Sequence, residues 1–220
     1  MRIASFAAPL LGLAALSGAA PALAQQKGDV LVRVRAIMVS PNESSGGVQP
    51  SFPGARIGVT DSYAPELDFT YMLSDHLGTE LILATTKHQL QGRAALAGID
   101  HLASTWVLPP TLTLQYHFLP HAKIRPYVGA GVNYTIFYSS KASGALKAAI
   151  GNTDVHLKNS FGYALQAGLD FDITKRVFAN LDVKYIDIDT KARLTTGASV
   201  NRVDSSIDPL VFGVGLGLRL

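Results

Sequence analysis

The chain has 220 residues, no cysteine, 48% hydrophobic residues and 20 glycines, with 19 basic residues against 16 acidic ones. So even a charge balance excludes a nucleic-acid-binding surface, and the lack of cysteine excludes a lipoprotein anchor and a disulfide framework.

The first 24 residues read as a cleaved signal peptide. Arg2 gives a basic n-region, Ile3 to Leu16 are apolar apart from Ser5, and Ala22-Leu23-Ala24 is a small-x-small cleavage sequence. The run is shorter than the roughly 20 residues of a membrane-spanning helix, so cleavage rather than a helical anchor is expected, with one mature domain over residues 25–220. Without Arg2 the 19 basic residues become 18, against 16 acidic. No later segment approaches the ~18 consecutive apolar residues of a helical span. An exported chain this apolar has two places for its hydrophobic surface, the core of a β-sandwich or the lipid-facing wall of a barrel.

Eight segments with a period of two follow in chain order. Val30 to Met38 sets Val30, Val32, Val34, Ala36 and Met38 against Arg33 and Arg35. The second sets Leu67, Phe69, Tyr71 and Leu73 against Glu66, Asp68 and Thr70, and the third sets Leu77, Leu81 and Leu83 against Glu80. The fourth sets Leu112, Leu114, Tyr116 and Phe118 against Thr111, Thr113, Gln115 and His117. The fifth, from Val128 to Tyr138, opposes Gly129, Gly131, Asn133 and Thr135. The sixth, Phe161 to Phe171, opposes Gly162, Gln166, Gly168, Asp170 and Asp172. The seventh, Val177 to Tyr185, opposes Asn180, Asp182 and Lys184; the eighth, Leu210 to Leu220, opposes Gly213, Gly215, Gly217 and Arg219. Such alternation predicts half-buried strands.

The connections separate barrel from sandwich. Ser74 to His76, Leu119 to Ala122 and Ile173 to Arg176 are tight turns. Four long connections, about 40–64, 88–105, 139–160 and 190–206, alternate with them. Strict short–long alternation over eight strands predicts an all-β fold, an eight-stranded antiparallel transmembrane β-barrel with short periplasmic turns and long extracellular loops. The aromatics agree: Tyr71, Tyr116, Phe118 and Phe171 fall at the inner end, and Tyr134, Tyr138, Phe161, Tyr163, Tyr185 and Phe212 at the outer end, as two interfacial girdles.

An eight-stranded barrel has interior room only for its own side chains. The inward glycines leave space, and Arg33, Arg35, Glu80, Gln115, Asp170, Asp182, Lys184 and Arg219 are the predicted polar plug, since buried charges persist when paired. A plugged barrel is no general porin. Phe52, Leu90, Trp106 and Phe137 are candidates for a hydrophobic pocket at the channel mouth; apolar loop residues of this kind either line a pocket or pack the loops together. Pro109-Pro110 removes two ladder donors at the top of the fourth segment, which is either an ordinary strand start or a lateral gap in the wall. A short helix is expected over Ala94 to Ala97 or Ala145 to Ala149. Gly213 to Gly217 precedes no helix and is no dinucleotide loop. The histidines show no metal spacing, and Asp100, His101 and Ser104 define no catalytic site. No enzyme activity, no cofactor and no metal are expected.

Pro65-Glu66-Leu67-Asp68-Phe69-Thr70-Tyr71-Met72, Leu108-Pro109-Pro110-Thr111-Leu112, Arg125 to Tyr134, Ser160-Phe161-Gly162 and Asp182 to Ile188 together resemble the OmpW family. The resemblance spans essentially the whole mature chain. It implies a bacterial cell outer-membrane barrel with an extracellular-side hydrophobic pocket that takes up small hydrophobic molecules passively and releases them sideways into the membrane; an alkane-uptake protein belongs to the same OmpW/AlkL group. The implied partners are outer-membrane lipid, lipopolysaccharide, hydrophobic solutes and, during biogenesis, the barrel assembly machinery. The alternation stays in phase through Leu220, where such barrels usually carry an aromatic residue. The alternative function is a non-transporting structural, adhesive or stress-related envelope protein.

Overall fold

A computed structural model describes residues 25–220; the signal peptide expected over residues 1–24 lies outside them. In chain order the elements are β1 (Val30–Ser40), β2 (Ser44–Ser45), β3 (Ala55–Val59), β4 (Ser62–Met72), β5 (Leu77–Ala84), β6 (Thr86–Ala94), β7 (Ala103–Leu108), β8 (Thr111–His117) and β9 (Ile124–Ala142). After them come α1 (Gly144–Ile150), β10 (Thr153–Leu157), β11 (Ser160–Asp172), β12 (Val177–Ile186), β13 (Asp189–Thr196), β14 (Ser199–Ser206) and β15 (Leu210–Arg219).

Eight of these strands close a ring in the order β1, β4, β5, β8, β9, β11, β12, β15, and β15 returns to β1. All its pairings are antiparallel, from Val30↔Tyr71 and Leu31↔Arg219 at one end to Val39↔Ser62 and Ser40↔Leu210 at the other. Closure leaves the ring without an unpaired edge, which a sheet in hydrocarbon requires.

The burial is that of a membrane barrel. Arg33, Asp68, Glu80 and Asp170 are 0% exposed, whereas Val214 is 57% and Leu112 51% exposed. No fold in water inverts its polarity this way; the apolar face meets lipid. Tyr71, Tyr116, Phe118 and Phe171 stand exposed near the tight turns, and Tyr134, Tyr138, Phe161, Tyr163 and Phe212 near the opposite end.

The four long connections are more ordered than the expected loops. Above the ring the barrel sheet continues through β9 into β7–β6–β3, and β10–β13–β14–β2 forms a second, separate sheet. The reason lies in an alternation that outlasts the membrane: β6 sends His88 and Leu90 inward and Lys87 and Gln89 outward, and β13 buries Ala192 between exposed Lys191 and Arg193. Of the two helix candidates, residues 144–150 form α1, capped by Ser143, whose Oγ accepts from the Leu146 amide at 3.0 Å. Over the other, Ala94 ends β6 and residues 95–98 are a turn instead. Leu146 of α1 is buried together with Val48, Ile57 and Leu102, so the connections form an apolar cap over the ring.

Leu165 lies midway between Phe161 and Phe171 on the lipid face. Leu165→Arg is expected to lower unfolding stability in bilayers by about 2–4 kcal/mol, while Lys191→Ala, in the cap, changes it by under about 0.5 kcal/mol. Equal effects in equilibrium unfolding would contradict this placement of the membrane.

Candidate functional site

The lower interior is an ion-pair network. Arg33 sends Nη1 to Asp68 (3.1 Å) and Nη2 to Asp170 (3.0 Å). Arg35 meets Glu66 through Nε at 2.7 Å and Asp68 through Nη2 at 2.8 Å, and Lys184 Nζ joins Glu66 at 3.0 Å and Asp182 at 2.5 Å. Gln115 donates to Glu80 (2.8 Å), and the Tyr127 hydroxyl donates to Asp182 (2.8 Å). Phe178 and Tyr127 lay their rings beside the Arg33 guanidinium, 5.5 and 5.4 Å from centroid to carbon. Those rings fit because Gly217 faces Phe178 and Gly168 faces Tyr127; a Cβ at either position would collide with the ring. Nearer the turns, Arg125 and Arg219 share Asp172. Buried charge is tolerated at this density only because almost every group has an opposite partner.

The structure thus brings Arg33, Arg35, Glu80, Gln115, Asp170, Asp182 and Lys184 into one cluster and sets Arg219 below it with Asp172. Sequence reading left out Glu66, Asp68, Arg125, Tyr127 and Asn180. Glu66 and Asp68 carried the same parity signal as Glu80, so they could have been found. The inward side of Arg125 and Tyr127 follows from extending the fifth segment's alternation toward its turn.

Above the network the interior turns aliphatic. Arg33 and Arg35 give way to Ile37 and Val39 on β1, Glu80 to Ile82 and Ala84 on β5, and Lys184 to Ile186 on β12. These residues, with Val211, enclose an apolar cavity whose lowest lining groups are Glu66 and Lys184. About 50 Å³ of it is open to the centre of a water molecule, room for roughly four waters or a few methylenes. Leu90, Phe137 and Leu157 line its upper part and belong to the same apolar cluster as the cap residues Leu102 and Leu146.

Two expected pocket residues are elsewhere. Trp106 is 37% exposed on the outer face, stacked on Tyr138, because β7 turns Thr105 and Val107 inward. Phe52 lines a second, smaller cavity inside the cap, with Val48, Leu96 and Leu146. Leu90 and Phe137 do line the main cavity.

Pro109 and Pro110 sit where the wall changes. Strand β8 pairs with β5 up to Ile82↔Thr111, and pairing resumes between β6 and β7 at Thr86↔Val107. Between these points Leu83, Ala84 and Thr85 face Leu108, Pro109 and Pro110 outside the ladder, and Ala84 and Pro109 line the cavity from within. The Thr85 hydroxyl crosses the seam, within 2.6 Å of the Tyr138 hydroxyl. On the β9 side the wall is intact: the Tyr134 amide donates to Pro110 O at 3.1 Å, and the Asn133 side-chain amide donates to both proline carbonyls.

His88, above the membrane, closes one side of the cavity. Its Nδ1 donates to Thr60 O (2.8 Å) and its Nε2 accepts from Thr86 Oγ1 (2.9 Å), the pattern of a neutral ring. Burial pushes its pKa below the ordinary histidine value of 6.5.

A closed eight-stranded barrel with a lipid-facing wall, an interior filled by paired charges and an apolar cavity under an extracellular cap defines a small outer-membrane barrel protein. More narrowly, the chain belongs to the OmpW family, whose family model matches residues 26–220. It is similar to outer membrane protein W of Escherichia coli (strain K12), 38% identical over 206 residues that cover 93% of each chain. It is also similar to the outer membrane protein OprG from Pseudomonas aeruginosa, whose crystal structure matches with a TM-score of 0.84 at 32% identity, covering 90% of this chain and 98% of that one. A more distant relative is the dibenzothiophene metabolism operon protein PahQ of Pseudomonas aeruginosa, 28% identical over 173 residues, 75% of each chain. The protein resides in the bacterial outer membrane.

Because the folded-state pKa of His88 is depressed, protonation favours the unfolded state. Its contribution to stability is complete above about pH 6.5 and is lost as the pH falls below that value. NMR titration is expected to give a His88 midpoint below 6.5, and a midpoint above it would refute the neutral, buried assignment.

Proposed function

We propose that the protein facilitates passive uptake of small hydrophobic molecules. Solute enters between the cap hairpins, occupies the apolar cavity, is stopped by the ionic network, and leaves through the seam at Pro109-Pro110 into the membrane. The observation that carries this reading is the cavity itself: apolar walls, an ionic floor that blocks axial passage, and one lining segment outside the strand ladder. Displacing solute downward would require breaking paired buried charges, each worth several kcal/mol; sideways exit crosses apolar contacts and the Thr85 hydroxyl's bonds to Val107 O and to the Tyr138 hydroxyl. The family's relative PahQ carries the name of an operon for the metabolism of dibenzothiophene, a flat apolar compound, which supports the solute class.

The surroundings fit an outer leaflet of lipopolysaccharide. Lys158, Arg193 and Arg202 stand exposed on the cap above Phe161 of the outer girdle, where lipid phosphates would meet them, while Lys191 beside them pairs with Asp204 at 3.2 Å. The closed apolar cap favours a second reading, a structural or adhesive envelope protein without transport.

Liposome uptake of naphthalene separates the two. The wild-type barrel is expected to raise the entry rate over protein-free liposomes. Ala84→Trp, which fills the cavity beside the seam, should abolish most of that gain. The double substitution Pro109→Ala/Pro110→Ala, which restores two ladder donors, should slow it severalfold. Uptake that is the same with and without the protein would leave the envelope reading in place.

A further inference from the structure

The cavity is uniform in its walls and not in its floor. Glu66 is 3% exposed, and its Oε1 takes both cations, Arg35 Nε at 2.7 Å and Lys184 Nζ at 3.0 Å. Its other oxygen, Oε2, accepts no hydrogen bond from the described residues, and the residue lines the cavity. Lys184 is 1% exposed and lines the cavity too; its ammonium donates to Glu66 Oε1 and to Asp182 Oδ1. An ammonium carries three donors, so one remains. The floor therefore presents one strong acceptor and one strong donor side by side, both cut off from bulk water. Leaving such groups unmatched in an apolar site costs free energy, and a ligand that matches them recovers it.

The remaining polar groups of the wall make no similar demand. The ring nitrogens of His88 are both engaged, by Thr60 and Thr86. Thr111 Oγ1 donates to Pro109 O at 2.9 Å and accepts from Asn133 at 2.8 Å. Polar recognition is concentrated at the one lower end of an otherwise aliphatic slot.

We propose that the preferred occupant is a slim apolar molecule ending in a single hydroxyl, an aliphatic alcohol or a phenol. Its O–H donates to Glu66 Oε2, and its oxygen accepts from Lys184 Nζ. A hydrocarbon leaves both groups unmatched, and an ether or ketone matches only the lysine. A carboxylate meets the like charge of Glu66 and Asp182, and an alkylammonium meets that of Arg35 and Lys184. The narrow lumen selects an unbranched or planar body over a bulky one. This inference rests on the cavity being the solute site, as proposed above, and adds which solutes it prefers.

The test compares butan-1-ol with its isomer 1-methoxypropane, equal in atoms and lacking only the donor. Both are titrated calorimetrically into the full barrel in lipid nanodiscs, with protein-free nanodiscs correcting for partition into lipid. The alcohol is expected to bind about tenfold more tightly than the ether. In Glu66→Gln the amide oxygen stays with Arg35 and Lys184 and the NH₂ group turns to the cavity, so the preference should vanish or reverse toward the ether. Phe137→Ala, at the top of the cavity, should weaken both ligands and keep their ratio. Equal binding of the two isomers by the wild-type protein would overturn the proposal while leaving the cavity as a solute site. A ratio unchanged by Glu66→Gln would overturn it as well. Binding of neither would overturn the uptake reading together with this one. If Glu66→Gln does not assemble, the wild-type ratio decides alone.

Discussion

Two arginines that cannot lose their charge sit inside a tube surrounded by hydrocarbon, and the rest of the molecule is arranged around them. Arg33 and Arg35 demand carboxylates within reach, and four strands supply them: Glu66 and Asp68 on β4, Glu80 on β5, Asp170 on β11 and Asp182 on β12. A one-residue slip of any of these strands would swing its carboxylates into lipid. The network therefore ties register to electrostatics, and a mispaired barrel carries unpaired charge in a medium that does not tolerate it. Glycines on the inward faces of β11 and β15 are part of the same arrangement, since the aromatic rings flanking Arg33 need their space.

The ring was legible because a barrel wall is the simplest two-sided pattern. Each segment sent hydrophobic side chains to lipid and polar or small ones inward, and three tight turns marked one end. The plug was legible for the same reason. The cap was not. Its hairpins repeat the period-two alternation in a milder form, with Lys87 outside and Leu90 inside, and a polar exterior there reads as loop when lipid is the assumed surroundings. Trp106 illustrates the cost of judging by residue type: a large apolar side chain near the mouth suggests a pocket, yet its parity on β7 points it outward. The cavity residues Ile37, Ile82 and Ile186 were hidden in plain sequence, as the place on each strand where inward charge changes to inward aliphatic.

That change of character part-way up the strands joins the plug to the proposed uptake. Below it the interior is satisfied by its own ions, and above it there is a void with mostly aliphatic walls, whose His88 and Thr111 are already hydrogen-bonded within the protein. A solute that likes the void has no reason to continue downward. The same two residues, Glu66 and Lys184, end one region and begin the other, so the floor of the cavity is as rigid as the network that holds it.

The seam at Pro109-Pro110 is asymmetric. On one side β9 runs unbroken for 19 residues from the periplasmic end into the cap, and its Asn133 and Tyr134 grip both proline carbonyls. On the other side β5 and β6 meet the prolines without ladder pairs. The wall is thus hinged along one edge and free along the other. In the proposed lateral exit, the β5–β6 strand is the leaf that moves away from the prolines, and β9 is the jamb that holds them.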